Sequence, residues 1–227
     1  METAAFTGVV GGVGTTRVAI ETAGVLAAQG HAAAVLDVNF STQGLAGYVD
    51  APLEADMMDA LIDPSCTKEG ICTIEKPVDG KLGVIPAFGP LSKIAEASKT
   101  EHAQQLDAVI EQMPPEYDFI IIDTPPVATN PSLAGITAAD DIVAITQDTQ
   151  RGIDGLRRMH ERLSDIDVDV DKQIITFTDN SSFIDNPTAA IPELPPTDPN
   201  SVPVTIHGTH SSEFSSVAEA VFPSVSD

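Results

Sequence analysis

"GVVGGVGTTRVAIETAGVLAAQG", residues 8–30, places Gly11, Gly12 and Gly14 directly ahead of a hydroxyl pair and a long run of small and apolar residues. Glycines in such a turn let backbone N–H groups close around an anion, and a helix that follows adds the positive end of its dipole. The pattern predicts a helix from Thr15 to about Gln29. Where loops of this layout carry lysine, this one has Thr15. Glycine-rich strand-to-helix turns also serve packing, so the reading depends on what surrounds the loop.

Six short β-rich runs alternate with helical patterns on either side: residues 4–10, 32–38, 81–87, 117–123, 141–147 and 172–178. Near-continuous apolar strands of this kind are buried on both faces, which implies a parallel sheet covered by helices. Between them Leu106, Val109, Ile110 and Met113 recur at i, i+3, i+4 and i+7, and Pro114 and Pro115 end that helix. The expected fold class is α/β, a three-layer αβα arrangement around a mostly parallel, doubly wound sheet, with residues 1–227 as a single domain. Ligands of such sheets sit at the carboxyl ends of the strands, which brings residues 8–17, 37–44 and 123–130 together. Residues 63–80 lack a clean period and are expected to form an edge excursion. Residues 185–203 carry six prolines and are expected to run as an irregular crossing or loop rather than a helix.

The chain of 227 residues has a net charge of −23, which argues against general attraction to nucleic acid or anionic lipid. Such an acid excess beside six lysines fits a protein that stays hydrated in molar salt, so a halophilic cytoplasm is expected. No apolar run reaches the roughly 18 residues that span a bilayer, and no basic signal-peptide region opens the chain. Cys66 and Cys72 have no second pair or neighbouring histidines to suggest zinc or a disulfide framework. His207 and His210 lack a third ligand nearby in sequence, and no nucleophile elbow is present.

Four segments in order, "VVGGVGTTR" (9–17), "VLDVNFSTQGLAGYV" (35–49), "YDFIIIDTPPVATNPSLAGITAADDIVAITQDT" (117–149) and "IPELPP" (191–196), resemble the MinD/ParA family of deviant-Walker P-loop ATPases of the SIMIBI class. The resemblance implies that the second segment is switch I, that the third combines Walker B with switch II, and that the fourth lies on the adenine side. It implies ATP or ADP with Mg²⁺ as cofactors. The nucleotide would rest on Gly11, Gly12, Val13, Gly14, Thr15 and Thr16, with Arg17 near the phosphates and Thr178, Asp179 and Pro192 near adenine. Mg²⁺ would be held by Thr16 and Asp123, with Asp37 beside them.

The departures from the family pattern act in one direction. Val10 stands at the signature lysine that reaches across a nucleotide-sandwich dimer, and Thr15 at the lysine that neutralises the β- and γ-phosphates. Asp37 and Asn39 replace the Asp-x-Asp pair of switch I, and an amide is a poor proton acceptor. Asp37 and Asn39 remain the candidate catalytic positions. Lost phosphate-neutralising charge weakens transition-state stabilisation, and one such contact is worth about 1.5–3 kcal/mol of affinity. Arg17 can fold back to restore one charge, or pair with Glu21 at i+4.

These substitutions lead us to expect a nucleotide-binding protein of intracellular positioning, in cell division or chromosome partitioning, with degraded hydrolysis. The alternatives are an active ATPase using Arg17 and a nucleotide-free scaffold. The family's dimers imply a homodimer, or a heterodimer with an intact relative, and a protein partner of the positioning machinery. Four of five arginines, Arg151, Arg157, Arg158 and Arg162, lie on one predicted helix, as a ridge for a partner or DNA or as a solvated face laced by Asp154–Arg158. Phe214, Val217 and Val221 follow helical spacing and are expected to pack back on the domain. The ending "FPSVSD" is unlike the family's basic membrane helix, so no direct membrane binding is expected.

Overall fold

The computed structural model describes residues 1–227 except 51, 179–183, 185, 196–197, 199–200, 207, 209 and 227. β1 (Glu2–Gly8) runs through a loop into α1 (Thr15–Ala28), which returns to β2 (Ala32–Asp37). Next come α2 (Met57–Ile62), β3 (Cys72–Thr73), β4 (Lys81–Ile85), α3 (Leu91–Ala97), α4 (Thr100–Ala103) and α5 (Leu106–Gln112). β5 (Phe119–Thr124), α6 (Asn130–Thr137), β6 (Asp141–Gln147), α7 (Gln150–Ser164), β7 (Lys172–Thr176), β8 (Ala189–Ile191) and α8 (Ser211–Val221) complete the order. Among the described residues, eight strands form one sheet in the order β3-β4-β2-β5-β1-β6-β7-β8, parallel except for the antiparallel pair β3–β4.

The apolar strands are buried on both faces, as their composition requires. Every residue of β5 is buried: Phe119 and Ile121 turn toward the layer containing α1 and α8, while Ile120 and Ile122 turn toward Leu61, Val109 and Ile110. β6 repeats the division, with Val143 and Ile145 in the α1 layer and Ile142 and Ala144 against Ile136, Met159 and Leu163 of α6 and α7. The result is the three-layer αβα architecture of the sequence reading. α8 buries Phe214, Val217 and Val221, the three residues whose spacing marks its inner face.

Three details differ from expectation. β1 ends at Gly8, so Val9 and Val10 belong to the loop rather than to a strand. β3 has two residues and β8 three, too few for alternation to reveal them, and both are edge strands. β8 lies inside the proline-rich stretch, where parallel pairing of Ala189, Ala190 and Ile191 with β7 sets its conformation. No helix among the described residues is long and apolar enough to cross a membrane.

The order β2-β5-β1 sets three strand ends side by side: Asp37 is the register partner of Asp123, and β1 delivers the glycine loop next to them. This is the crevice where a doubly wound sheet binds its ligands.

Candidate functional site

The loop after β1 is held from below and beside. Val9 N–H donates to Ile145 O at 3.0 Å, and Thr176 Oγ1 donates to Val13 O at 2.7 Å and to Thr146 O at 3.0 Å. Gly12 and Gly14 adopt φ of 84° and 86°, the left-handed region that glycine enters without steric cost. Gly14 is the N-cap of α1 and has no side chain to cap the helix, which suits the amides of its first turn to an anion.

Neither lysine position presents an outward group. Thr15 is buried, with its hydroxyl where a Cβ on Gly8 would fall. Val10 packs inward on α7, where a Cβ added to Gly155 would lie 2.9 Å from Val10 Cγ1 and 3.0 Å from Val9 Cγ2. Gly155 is thus the seat of the loop's apolar shoulder, a role that its isolated place in the sequence does not announce. Gly155→Ala is expected to lower the unfolding free energy by about 1–3 kcal/mol through overpacking, read from denaturant unfolding.

The carboxylates carry the site's electrostatics. Thr16 Oγ1 donates to Asp123 Oδ2 at 2.5 Å, while Asp123 Oδ1 is buried without a hydrogen-bond partner among the described residues. Burial raises the pKa of Asp123 to about 7, with the Thr16 hydroxyl only partly opposing it. Burial, and then the neighbouring Asp123, hold Asp37 well above the usual carboxylate range. Asp37 is committed to the chain after β2: Oδ1 accepts from Asn39 N–H at 2.9 Å and Oδ2 from Leu45 N–H at 3.3 Å. Two adjacent buried acids are costly as charges on their own, and their oxygens are ligands of the kind that hard divalent ions such as Mg²⁺ take.

The stretch after β2, expected to act as switch I, folds over Thr16. A Cβ on Gly44 would lie 3.3 Å from Thr16 Oγ1, and Gln43 is pinned to the loop before α3 through Gly89, with Nε2 donating to its carbonyl at 2.9 Å. Asn39 Oδ1 accepts from Ser41 Oγ at 3.1 Å, so its amide is occupied locally.

Arg17 points along α1. Its Nε donates to Glu21 Oε1 at 2.6 Å, and its charge also acts on Tyr48. Glu21 is fully buried and also accepts from Val204 N–H, Thr205 N–H and Thr205 Oγ1. Of the residues expected near adenine, Thr178 N–H donates to Ile191 O at 3.1 Å and Pro192 lines a cavity of 190 Å³ beside Gly14 and Arg17. Asp179 lies outside the described residues. Arg151, Arg157 and Arg158 are exposed on α7. Arg162 does not join them as a free ridge, because its guanidinium donates to Val127 O in the loop after β5. Asp154 accepts from Gln150 Nε2 at 3.0 Å rather than from Arg158.

The sequence profile of the AAA_31 family, described as an AAA domain, matches residues 1–176. The chain belongs to this family. Within the curated proteins, this AAA_31 member is similar to the sporulation initiation inhibitor protein Soj of Bacillus subtilis, 29% identical over 154 residues, 66% of this chain and 59% of Soj. The match thus spans about three fifths of that relative. The fold is shared with the cell division ATPase MinD of Pyrococcus furiosus (TM-score 0.78, 17% identity, 97% of this chain and 98% of that one). It is shared as well with a plasmid partition protein of Borrelia burgdorferi bound to AMPPNP (TM-score 0.76, 15% identity, 98% of each chain). The resemblance to MinD/ParA P-loop ATPases read from the four segments is confirmed.

Proposed function

We propose that this AAA_31 protein binds Mg²⁺–ATP and Mg²⁺–ADP and hydrolyses ATP little or not at all, acting through its bound state in intracellular positioning or partitioning. The observation that carries the reading is the unpartnered Asp123 Oδ1 beside Thr16 and Asp37 at the mouth of a left-handed glycine loop. Thr16 and Asp123 would hold the metal, and the amides of Gly11–Thr16 the phosphates. A bound Mg²⁺ would supply the positive charge that both the buried acids and the phosphates lack.

The residues that would drive turnover are engaged elsewhere. Val10 sits on Gly155, Thr15 is buried, Asn39 is an amide, and Arg17 is paired with Glu21. Phosphoryl transfer depends on positioned charge at the transferred group, and this loop presents none from side chains. Kinship with a cell division ATPase and a plasmid partition protein supports the positioning role. With Val10 turned inward, a symmetric nucleotide sandwich lacks its cross-dimer cation, which favours a heterodimer with an intact relative over a homodimer. The net charge of −23 supports work in a salt-rich cytoplasm.

Titration calorimetry in high-KCl buffer tests the reading: ATP should bind with Mg²⁺ and bind far more weakly in EDTA. Absence of binding at millimolar Mg²⁺–ATP would leave the nucleotide-free scaffold. Arg17→Ala should leave the ATP dissociation constant within about threefold, less than 1 kcal/mol, because Glu21 already holds the guanidinium. A loss of tenfold or more would instead favour an Arg17-charged loop.

A further inference from the structure

Phe177 follows β7 with φ of 59°, the left-handed region that a bulky side chain rarely adopts. The conformation is over-determined by its neighbours: Thr176 Oγ1 is fixed to Val13 O and Thr146 O, and Thr178 N–H to Ile191 O. Strain held in place by flanking bonds is characteristic of residues that are aimed at something. The ring is not buried in the core, since Phe177 remains 47% exposed. It overhangs the start of α1, where a Cβ on Gly14 would stand 3.6 Å from Phe177 Cζ.

The same ring closes one side of the 190 Å³ cavity, whose other walls include Val18, Ile191, Pro192, Leu194 and Pro195. That volume is below the roughly 300–1,000 Å³ of a whole ligand pocket and suits a single planar ring system. The cavity opens beside Gly14 and Arg17, at the end of the anion-binding loop, so a ring within it would be attached to a phosphate chain resting on that loop.

We propose that Phe177 is the stacking platform for the base of the bound nucleotide, held in a strained backbone so that its ring face meets the heterocycle while the phosphates lie on residues 11–16. This inference rests on the nucleotide-binding reading above. It assigns affinity that the loop has lost with its lysines to an aromatic surface at the opposite end of the ligand. Stacking is indifferent to salt compared with phosphate pairing, which suits a chain of this acidity.

The test compares Mg²⁺–ATP with Mg²⁺–tripolyphosphate, which carries the phosphates without the base, by calorimetry on the full chain and on Phe177→Gly and Phe177→Tyr. Wild type should bind ATP at least about tenfold more tightly than tripolyphosphate. Phe177→Gly should erase that advantage with tripolyphosphate affinity unchanged, and should melt no lower than wild type, because glycine accepts the left-handed φ. Phe177→Tyr, which keeps the ring, should retain the advantage. An advantage that survives in Phe177→Gly, or a wild type that binds both ligands equally, would overturn the stacking role while leaving phosphate binding in place. Failure of both ligands to bind wild type would overturn the nucleotide reading and this inference together.

Discussion

Glu21→Ala is expected to lower the unfolding free energy by about 3–5 kcal/mol, the usual cost of removing one partner from a buried charged network. Glu21 is 0% exposed in the middle of α1, and its two oxygens gather Arg17 Nε at 2.6 Å, Val204 N–H at 3.2 Å, Thr205 N–H at 3.0 Å and Thr205 Oγ1 at 2.7 Å. Truncation removes the acceptor of one guanidinium bond and of three further donors at once. The same carboxylate pulls the segment after β8 onto α1, where Pro203 packs so closely on Gly24 that a Cβ there would meet its ring at 2.4 Å. Denaturant unfolding of wild type, Glu21→Ala and Glu21→Gln checks this. Glutamine keeps an acceptor for the segment at 204–205 and should recover part of the loss. A loss under about 1 kcal/mol in Glu21→Ala would show that solvent replaces these bonds without penalty.

The second large effect is at Asp123. Replacement by asparagine should raise the stability of the ligand-free protein at neutral pH and abolish its Mg²⁺-dependent gain on adding ATP. The sign follows from the direction of the shift. The folded pKa of about 7 lies above the ordinary 3.8, so between those values the folded state keeps a proton that the unfolded state releases. Asp123 therefore destabilises the ligand-free fold increasingly as pH rises from about 4 to about 7, by up to about 1.4 kcal/mol per pH unit, and fully above that. Unfolding free energies from pH 5 to 8 should fall more steeply for wild type than for Asp123→Asn. Parallel profiles would mean that the buried carboxylate is compensated in solution. Were Mg²⁺ bound, the ionised form would be the one that ligates it, so the charge that burdens the fold alone would support the loaded one.

Much of this arrangement was legible in the residues. The parallel sheet follows from six apolar runs, the anion loop from Gly11, Gly12 and Gly14, and the acidic pair from Asp37 and Asp123 near the carboxyl ends of two of those runs. What was not legible depends on contacts distant in sequence. Gly155 looks like an ordinary helix position until Val9 and Val10 are seen to occupy the space of its missing side chain. Arg17 had two readings, folded back over the phosphates or paired with Glu21 at i+4, and the buried state of Glu21, set by residues 204 and 205, decides which one the structure shows. Phe177 gives no sign in sequence of its positive φ, which arises because Thr176 and Thr178 are bonded to different elements. β3 and β8 are too short to carry a pattern of their own.

Whether the loop holds Mg²⁺–ATP without consuming it is decided by thermal denaturation in high-KCl buffer with the nucleotide recovered afterwards. A melting temperature that climbs with Mg²⁺–ATP concentration is expected, the stabilisation following RT ln(1 + [L]/Kd), with the nucleotide recovered as ATP after prolonged incubation. No shift at millimolar Mg²⁺–ATP, or conversion of the recovered nucleotide to ADP at a rate proportional to protein, would contradict it.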